Sequence, residues 1–443
     1  MSKTVRLDAT SCRNAVWRMA AYSRLAVLVV QYLSNALISD HQARDVFISP
    51  CLGDGDDTVV GRVVTHFLGG FLRWDAQYFL HVYRYGYTYE NALAFFPAFP
   101  GAVRLLAAIV PGHPNTAFLA VSIALNNVVF VFAALALYDL TLRVHDNDVR
   151  TAYNSAVLFC FNPASVFFSA PYSESLFALT TFYGMYHVQR DSVWKSALCF
   201  GCCALNRSNG LLNSGYLLYS AVRTAVTKRI LLFKFVLGSC LVFACFGSFQ
   251  LYGYYKFCTL RGHYFEPKIV DYARANNLVM PNNHTVPLWC GVRLPYSYVQ
   301  EKYWQNIGFL NYYQFKQIPN FMLAFPCIFL LLNHGFKYFY NNNIMYLGLR
   351  DRDKPDFVYV VHSTVLTLFC LFCIHVQVTT RMLASSSPVF YWACGSYFQF
   401  PLNFNRITYR RVYNDFKSRL VVLYFLAYFV VGTALFVNFL PFT

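Results

Sequence analysis

The sequence contains little charge. Only 13% of its 443 residues are Asp, Glu, Lys or Arg, whereas a soluble globular chain has about 25%. Hydrophobic residues make up 57% of the chain. Several apolar runs reach about 18 residues, which is long enough to cross a bilayer. The composition excludes a soluble globular protein and predicts an all-α polytopic membrane protein.

Acidic residues are especially scarce. There are 20 Asp and Glu against 36 Lys and Arg, which gives a formal net charge of +16. In a soluble protein this excess would indicate a nucleic-acid partner. In a membrane protein it indicates basic cytosolic loops and attraction to anionic lipid headgroups. We therefore expect the membrane as a partner and no nucleic acid.

Several diagnostic motifs are also missing. The sequence has no G-x-x-x-x-G-K-[ST] phosphate loop, no H-E-x-x-H and no G-x-S-x-G. These absences argue against an ATP-driven pump, a zinc protease and a lipase. Two repeated halves, which are common in transporters, are not visible either. We interpret residues 1–443 as a single integral-membrane domain.

Apolar length and breaks in charge predict roughly eleven transmembrane helices, within a range of about 8 to 11. The segments lie near 21–38, 95–110, 117–138, 152–170, 175–188, 197–222, 230–257, 319–334, 357–376, 385–400 and 420–440. A basic N-terminal flank predicts a signal anchor whose start stays in the cytosol. This topology makes 39–94 the first lumenal loop and 258–318 a large second lumenal loop.

The second of these loops has two features typical of the secretory pathway. Asn283 begins the sequon N-H-T and is a predicted glycosylation site. Cys258 and Cys290 could pair across the loop, although spacing alone does not establish a disulfide bond. Many of the remaining cysteines lie in apolar runs, where we predict buried, inert thiols.

The triplet Arg73-Trp74-Asp75 begins an aromatic-rich part of the first lumenal loop. An aspartate at a membrane face can act as a general base. The alternative is an ordinary loop acid that caps a helix or is solvated. If Asp75 is catalytic, its neighbours Arg73, Trp74 and Gln77 become candidates for substrate binding.

Two nearby features allow a structural or a functional interpretation. Pro97 and Pro100 open the second apolar segment, either as a tolerated helix start or as a break that shapes a lipid groove. The acidic run at 54–57 has the oxygen-rich character of a cation site. The calcium-loop pattern, however, would need an acid where Thr65 stands. We predict no metal site.

Ionisable and polar residues inside or beside apolar segments are costly and therefore suggest function. Glu174 and Arg207 are candidates for substrate binding, and the alternative is an internal ion pair between helices. His375, Gln377 and Arg381 lie near the predicted lumenal edge, as Asp75 does. The planar fork of Arg381 suits a lipid phosphate, and the alternative is snorkelling to the headgroups.

Six ordered blocks together resemble the GPI mannosyltransferase 2 family, the PIG-V-like enzymes. The blocks are 74–100 (WDAQYFLHVYRYGYTYENALAFFPAFP), 162–179 (NPASVFFSAPYSESLFAL), 206–216 (NRSNGLLNSGY), 296–326, 375–392 (HVQVTTRMLASSSPVFYW) and 438–443 (NFLPFT). They span most of the chain in order, from residue 74 to residue 443. The last block departs mildly from the family's NFLPWT, because Phe442 replaces the tryptophan.

The resemblance implies a GT-C type glycosyltransferase fold with catalytic lumenal loops, in the endoplasmic reticulum membrane. It implies transfer of the second mannose, in α1,6 linkage with inversion, from dolichol-phosphate-mannose to the GPI precursor lipid. Asp75 matches the family's acid in the first lumenal loop and would be the base. Arg381 and His375 would neutralise the departing phosphate, and Trp74 would stack on a sugar. The resemblance implies no cofactor and no required metal.

Other functions stay open on the residues alone. Another dolichol-phosphate-mannose-dependent mannosyltransferase, with an N-glycan or protein acceptor, would share the chemistry. A lipid or sugar transporter or a scramblase would use Glu174, Arg207 and His375 as pathway residues. The sequence does not decide whether a small membrane subunit assists the chain.

Overall fold

The computed structural model describes residues 8–42, 46–224, 229–259, 264–281, 287–291, 294–304, 307–342, 355–397 and 416–442. Within these ranges the chain forms helices and no β-strand. The α-helices are α1 (Ala9–Leu37), α2 (Val59–Leu68), α3 (Ala76–Tyr85), α4 (Ala98–Ala107), α5 (Pro114–Val144), α6 (Val149–Cys160), α7 (Glu174–Val188), α8 (Val193–Asn206), α9 (Ser214–Thr224), α10 (Arg229–Tyr254), α11 (Pro267–Ala275), α12 (Pro295–Tyr303), α13 (Ile318–Asn341), α14 (Phe357–Cys373), α15 (Thr379–Ser386), α16 (Pro388–Gly395) and α17 (Phe416–Val437).

The longest apolar helices confirm an all-α membrane protein. Across the described residues, four segments are long and apolar enough to cross a bilayer: Pro114–Val144, Leu231–Thr259, Phe315–Asn341 and Phe416–Val437. Shorter apolar helices cover Val59–Phe71, Ala98–Ala107 and Phe357–Cys373. The number of eleven spans is not established by these helices and stays a prediction.

Several predicted spans are interrupted rather than continuous. In 152–170 the helix α6 ends at Cys160, and an irregular segment follows until α7. In 197–222 a turn of 3₁₀ helix separates α8 from α9, and in 385–400 a break at Ser387 separates α15 from α16. Asn, Ser and Pro at these breaks compete with or remove helical hydrogen bonds. Apolar length alone does not reveal such breaks.

Buried side chains supply the hydrogen bonds that the irregular segment 161–173 lacks. Arg24, only 3% exposed, donates to the carbonyls of Cys160 (3.2 Å) and Ser165 (3.0 Å). The Asn126 amide donates to two carbonyls of the same segment, at 2.5 and 2.9 Å. Irregular backbone at membrane depth is tolerated only where protein groups satisfy it. The segment is therefore held in place directly before Glu174, the first residue of α7.

Contacts join the two loops predicted to be lumenal. Cys258 and Cys290, whose pairing the sequence left open, form a disulfide bond. Next to it, the fully buried Glu90 accepts hydrogen bonds from the three other members of a set that we call the Glu90 cluster. The donors are Trp289 Nε1 (2.6 Å), Lys302 Nζ (2.7 Å) and Tyr303 OH (2.8 Å). The predicted glycosylation site Asn283 lies outside the described residues.

Candidate active site

A strained turn places Asp75 at the start of α3. Trp74 has φ 54°, in the left-handed region that bulky side chains seldom adopt and that often marks functional sites. Arg73 secures the turn, because its guanidinium donates to the carbonyl of Val437 (2.9 Å) and to Asp40 (2.9 Å). The end of α17 therefore fixes the position of Asp75.

The three predicted neighbours of Asp75 support this turn and lie outside the cavity lining. Trp74 packs edge-on against Phe439, with ring centroids 5.8 Å apart. Gln77 is buried and bonds to two backbone groups, at 3.2 and 2.9 Å. Arg73 is engaged with the end of α17, as described above. Their role in binding substrate stays a prediction, and their described contacts orient the loop.

Asp75 faces a cavity of about 250 Å³. The lining side chains come from segments that are far apart in sequence, within 75–79, 94–96, 172–174, 206–209, 296–307 and 374–382. The volume lies just below the roughly 300–1,000 Å³ typical of pockets that enclose drug-sized ligands. The cavity therefore suits a reacting sugar and its immediate neighbours rather than a whole glycolipid.

Four of the predicted candidates meet in this cavity as alternating charges, which we call the ion-pair chain. Arg381 donates to the Asp75 carboxylate at 2.9 Å, although the two residues are 306 positions apart. The Nε of Arg381 also lies 3.9 Å from Glu174 Oε1. Arg207 in turn donates to the same Glu174 oxygen. The chain thus runs from Asp75 through Arg381 and Glu174 to Arg207.

The ion-pair chain is only partly satisfied by protein groups. Glu174 is 1% exposed, yet its Oε2 has no hydrogen-bond partner among the described residues. Arg381 Nε is equally without a hydrogen bond there. Burial opposes the charge of Arg381, but Asp75 and Glu174 outweigh it and raise the pKa of Arg381 above its ordinary value. Arg381 is therefore a permanent cation in a cavity that has room for an anion.

The segment 374–382 forms one side of the cavity. His375 stacks on Tyr312 with ring centroids 4.8 Å apart, and Gln377 Oε1 accepts a hydrogen bond from the Tyr312 hydroxyl at 3.3 Å. His375, Gln377 and Arg381 all line the cavity, together with Ile374 and other apolar side chains of the segment. The predicted polar candidates thus share one wall with apolar groups.

The sequence did not point to a second wall of the cavity. Asn206 and Asn209 flank Arg207, and Tyr296, Gln300 and Trp304 approach from the second loop. The only sign of this wall in the sequence is the polar run N-R-S-N-G within apolar surroundings, of which Arg207 alone was a candidate. Asn206 also begins a sequon, but it is 1% exposed and so is not a glycan acceptor in the folded chain.

The remaining predictions concern groups outside the cavity. Asp54, in the acidic run, pairs with Lys268 and lies 3.7 Å from Arg84. Hydrogen bonds to Asp54 and Tyr85 raise the pKa of Lys268. Over the part of the chain that the structure describes, no three His, Cys, Asp or Glu side chains are grouped as metal ligands. Within the acidic run, Asp54 is thus engaged in ion pairs, and Asp56 accepts hydrogen bonds from Thr58 and Thr116.

Pro97 and Pro100 begin α4 and do not themselves line the cavity. Pro97 is the residue before the first helical position, and Pro100 is buried in the first turn. The residues directly before them, Phe95 and Phe96, do line it. Because proline suits a helix start, the pair follows the lining residues Phe95 and Phe96 and begins α4. A lipid groove there stays a prediction.

Comparison with known proteins identifies a family for the chain. A family model described as Mannosyltransferase (PIG-V) matches residues 13–443. GPI mannosyltransferase 2 of Drosophila pseudoobscura pseudoobscura is 36% identical, over 97% of this chain and 99% of that protein. The proteins named GPI alpha-1,6-mannosyltransferase 2 of Mus musculus and Homo sapiens are 36% and 35% identical, each over 97% of this chain and 99% of their own length.

Among solved structures, an oligosaccharyltransferase of Archaeoglobus fulgidus aligns with a TM-score of 0.46 and 13% identity. The alignment covers 94% of this chain and 55% of that one, and it is too weak to carry a conclusion. The family match and the relatives, by contrast, extend over nearly the full sequence. On that ground the chain belongs to the PIG-V mannosyltransferase family.

Proposed function

We propose that this cavity transfers the second mannose of the GPI anchor, in α1,6 linkage, from dolichol-phosphate-mannose to the GPI precursor lipid. The relatives named above are GPI mannosyltransferases, and their similarity extends over 97% of the chain. The observation that carries the site assignment is the Asp75–Arg381 ion pair, exposed in a small cavity. One carboxylate and one guanidinium are the two groups that an inverting sugar transfer from a phosphate requires.

Asp75 is the proposed general base. Its side chain is 27% exposed, and one carboxylate oxygen is engaged by Arg381. The acceptor hydroxyl loses its proton to Asp75 while its oxygen bonds to the anomeric carbon of mannose. The bond from that carbon to the phosphate oxygen breaks on the opposite face. A β-linked donor thereby gives an α-linked product.

Arg381 is the proposed phosphate ligand, with His375 beside it. A guanidinium in a water-poor cavity stabilises the charge that develops on the leaving phosphate. Apolar side chains of 374–382 lie next to Arg381 on the same wall and suit the isoprenoid end of the donor. An incoming phosphate competes with Asp75 for Arg381, so donor binding frees the carboxylate to accept a proton. This sequence of contacts favours binding of the donor before the acceptor.

Aromatic side chains are proposed to exclude water from the reaction. Phe79, Phe95 and Trp304 line the cavity around Asp75, and Phe95 and Trp304 lie 5.9 Å apart between ring centroids. Exclusion of water lets the acceptor hydroxyl outcompete hydrolysis of the donor. Trp304 lines the cavity, so we propose it as a tryptophan that can stack on a sugar, beside the earlier candidate Trp74.

The remaining elements of the proposal follow from the reaction. We place the enzyme in the endoplasmic reticulum membrane as a multi-pass GT-C type protein, because both of its substrates are membrane lipids. A donor with a single phosphate places one leaving charge opposite Arg381, so we propose no metal cofactor. Whether a small membrane subunit is needed can be decided by the assay described next.

Complementation tests the reaction and the acceptor together. The chain would be expressed in cells that lack the second GPI mannosyltransferase, and surface GPI-anchored protein and lipid intermediates would be measured. We expect surface protein to return and the one-mannose intermediate to disappear. Failure of the chain in these cells, but success when a small membrane subunit from its own source is co-expressed, would show that it needs that subunit. An intermediate that persists with both present would overturn the proposal.

The phosphate assignment has its own test. Arg381→Ala should raise the KM for dolichol-phosphate-mannose by about 10- to 100-fold, because a charge-assisted contact to the phosphate is lost. Arg274→Ala is a matched control, since Arg274 is an exposed arginine paired on the surface with Asp271. An unchanged donor KM in folded Arg381→Ala protein would remove Arg381 from this role.

A further inference from the structure

We propose that Asn206, Asn209, Tyr296 and Gln300 form the subsite for the acceptor's terminal sugar. This inference rests on the proposed function and deepens it, because it assigns the neutral wall of the cavity to a specific ring. The four side chains, which we call the amide wall, all line the cavity. They come from the end of α8, the turn that follows it, and α12.

The amide wall contains polar atoms that the protein leaves unpaired. The Asn206 Nδ2 donates to the carbonyl of Ser173 at 2.9 Å, but its Oδ1 has no partner among the described residues. The buried Nδ2 of Asn209 is likewise unpartnered there. Buried polar groups in folded proteins nearly always have partners, and exceptions call for an explanation. One free acceptor and one free donor match the two hydrogen-bonding functions of sugar hydroxyls.

The backbone that carries these amides is held rigidly. A Cβ on Gly210 would lie 2.3 Å from the backbone of Cys203, so only glycine allows the turn to lie against α8. Across the cavity, the hydroxyls of Ser208 and Tyr296 are hydrogen-bonded at 2.7 Å, which joins the turn to α12. The residues of the amide wall are therefore held at fixed positions, as a binding site requires.

The position of the amide wall favours the acceptor over the donor. The donor sugar is bonded to its phosphate and must lie beside Arg381. Two of its members, Asn206 and Asn209, lie on either side of Arg207 in sequence, and the Arg207 guanidinium is already paired with Glu174. Neutral amides and hydroxyls suit an uncharged hexose, and Asp75, in the same cavity, can reach its reactive hydroxyl.

The test measures separate KM values for both substrates with the full-length protein in detergent or proteoliposomes. Substrates are dolichol-phosphate-mannose and the one-mannose GPI precursor. Asn209→Ala should raise the acceptor KM about tenfold, the typical effect of one lost hydrogen bond, and change the donor KM less than about twofold. Asn213→Ala is the matched control, since Asn213 lies in the same turn, is buried, and is absent from the cavity lining.

A second arm identifies the contact directly. Acceptors that each lack one mannose hydroxyl would be compared on wild type and Asn209→Ala. With the wild-type enzyme, one of these acceptors should have a KM about tenfold above that of the complete acceptor. With Asn209→Ala, the missing hydroxyl should not raise the acceptor KM further, because its protein partner is already gone. If Asn209→Ala does not fold, Gln300→Ala on α12 is the substitute, with the same expected rise in acceptor KM.

The outcomes separate this inference from the proposed function. If the wild-type chain makes no two-mannose product, the proposed function itself is wrong. Wild-type transfer together with a raised donor KM in Asn209→Ala assigns the wall to the donor sugar and overturns the inference alone. Unchanged values for both substrates overturn it as well.

Discussion

Two carboxylates of this protein have opposite surroundings. Glu90 is fully buried and accepts hydrogen bonds from Trp289, Lys302 and Tyr303. Asp75 is 27% exposed, opens onto a cavity and is held by Arg381. A carboxylate whose oxygens are all occupied can only stabilise structure, whereas one with free capacity in a cavity can take part in chemistry. This contrast is the basis on which we propose a catalytic role for Asp75 and a structural role for Glu90.

The strongest test of this contrast is Asp75→Asn. The substitution keeps shape and hydrogen bonding but removes the base, so kcat should fall by about 10²- to 10⁴-fold. Because the cavity already exposes Asp75, the thermal unfolding midpoint should change little. Transfer kinetics and unfolding would be measured on the same purified sample. A folded variant with full activity would show that Asp75 is not the base.

The converse test is Glu90→Gln. The substitution replaces a buried acceptor of three hydrogen bonds, while its charged partner Lys302 stays 35% exposed to solvent, so the free energy of unfolding should fall by about 1–3 kcal/mol. Activity per folded molecule should remain near the wild-type value. Asp271→Asn is the control, since the Asp271–Arg274 pair is solvent-exposed and such pairs contribute little. A stable Glu90→Gln protein with low kcat would instead give Glu90 a catalytic role.

The disulfide bond beside the Glu90 cluster extends the comparison. Cys258 and Cys290 are separated by 32 positions, and breaking a disulfide bond that closes a loop of that size costs about 2–4 kcal/mol of stability. Cys258→Ser should therefore lower the unfolding midpoint, and reductant should lower it in wild type but not in the variant. Cys240→Ser, at an exposed free cysteine, should have no effect. A wild-type midpoint insensitive to reductant would contradict the assignment.

The smallest expected effect belongs to Arg381→Lys. Lysine keeps the charge but cannot hold Asp75 and Glu174 with a planar fork. We expect the donor KM to rise about tenfold, roughly 1.4 kcal/mol of binding, with the unfolding midpoint nearly unchanged. Donor titration at saturating acceptor measures it. A lowered kcat with an unchanged donor KM would place Arg381 in catalysis but outside donor binding.

The site shows what sequence reasoning can and cannot reach. Asp75, Glu174, Arg207, His375 and Arg381 were all predictable, because ionisable groups in an apolar chain are costly and hence conspicuous. Their convergence in one cavity was not, since no local pattern records a contact across 306 positions. Function could be inferred from the order of motifs, while the ion-pair chain required the fold.

Other features left no readable signal. The amides of Asn206 and Asn209 resemble ordinary turn residues, and only their burial beside a cavity distinguishes them. The roughly eleven predicted spans came from apolar length, which does not register the breaks at Cys160, Asn206 and Ser387. Glu174, Arg207 and their neighbours line the cavity next to these interruptions. The positions at which the helices break therefore coincide with the site.

The most direct measurement compares Asp75→Asn and Glu90→Gln in the complementation assay at normal and reduced growth temperature. Both variants would be scored for surface GPI-anchored protein and for accumulation of the one-mannose intermediate, normalised to folded enzyme. We predict that Glu90→Gln recovers when the temperature falls, because its defect is in stability, whereas Asp75→Asn accumulates the intermediate at both temperatures. Recovery of Asp75→Asn on cooling, or persistent failure of folded Glu90→Gln, would contradict the assignment of one acid to chemistry and the other to structure.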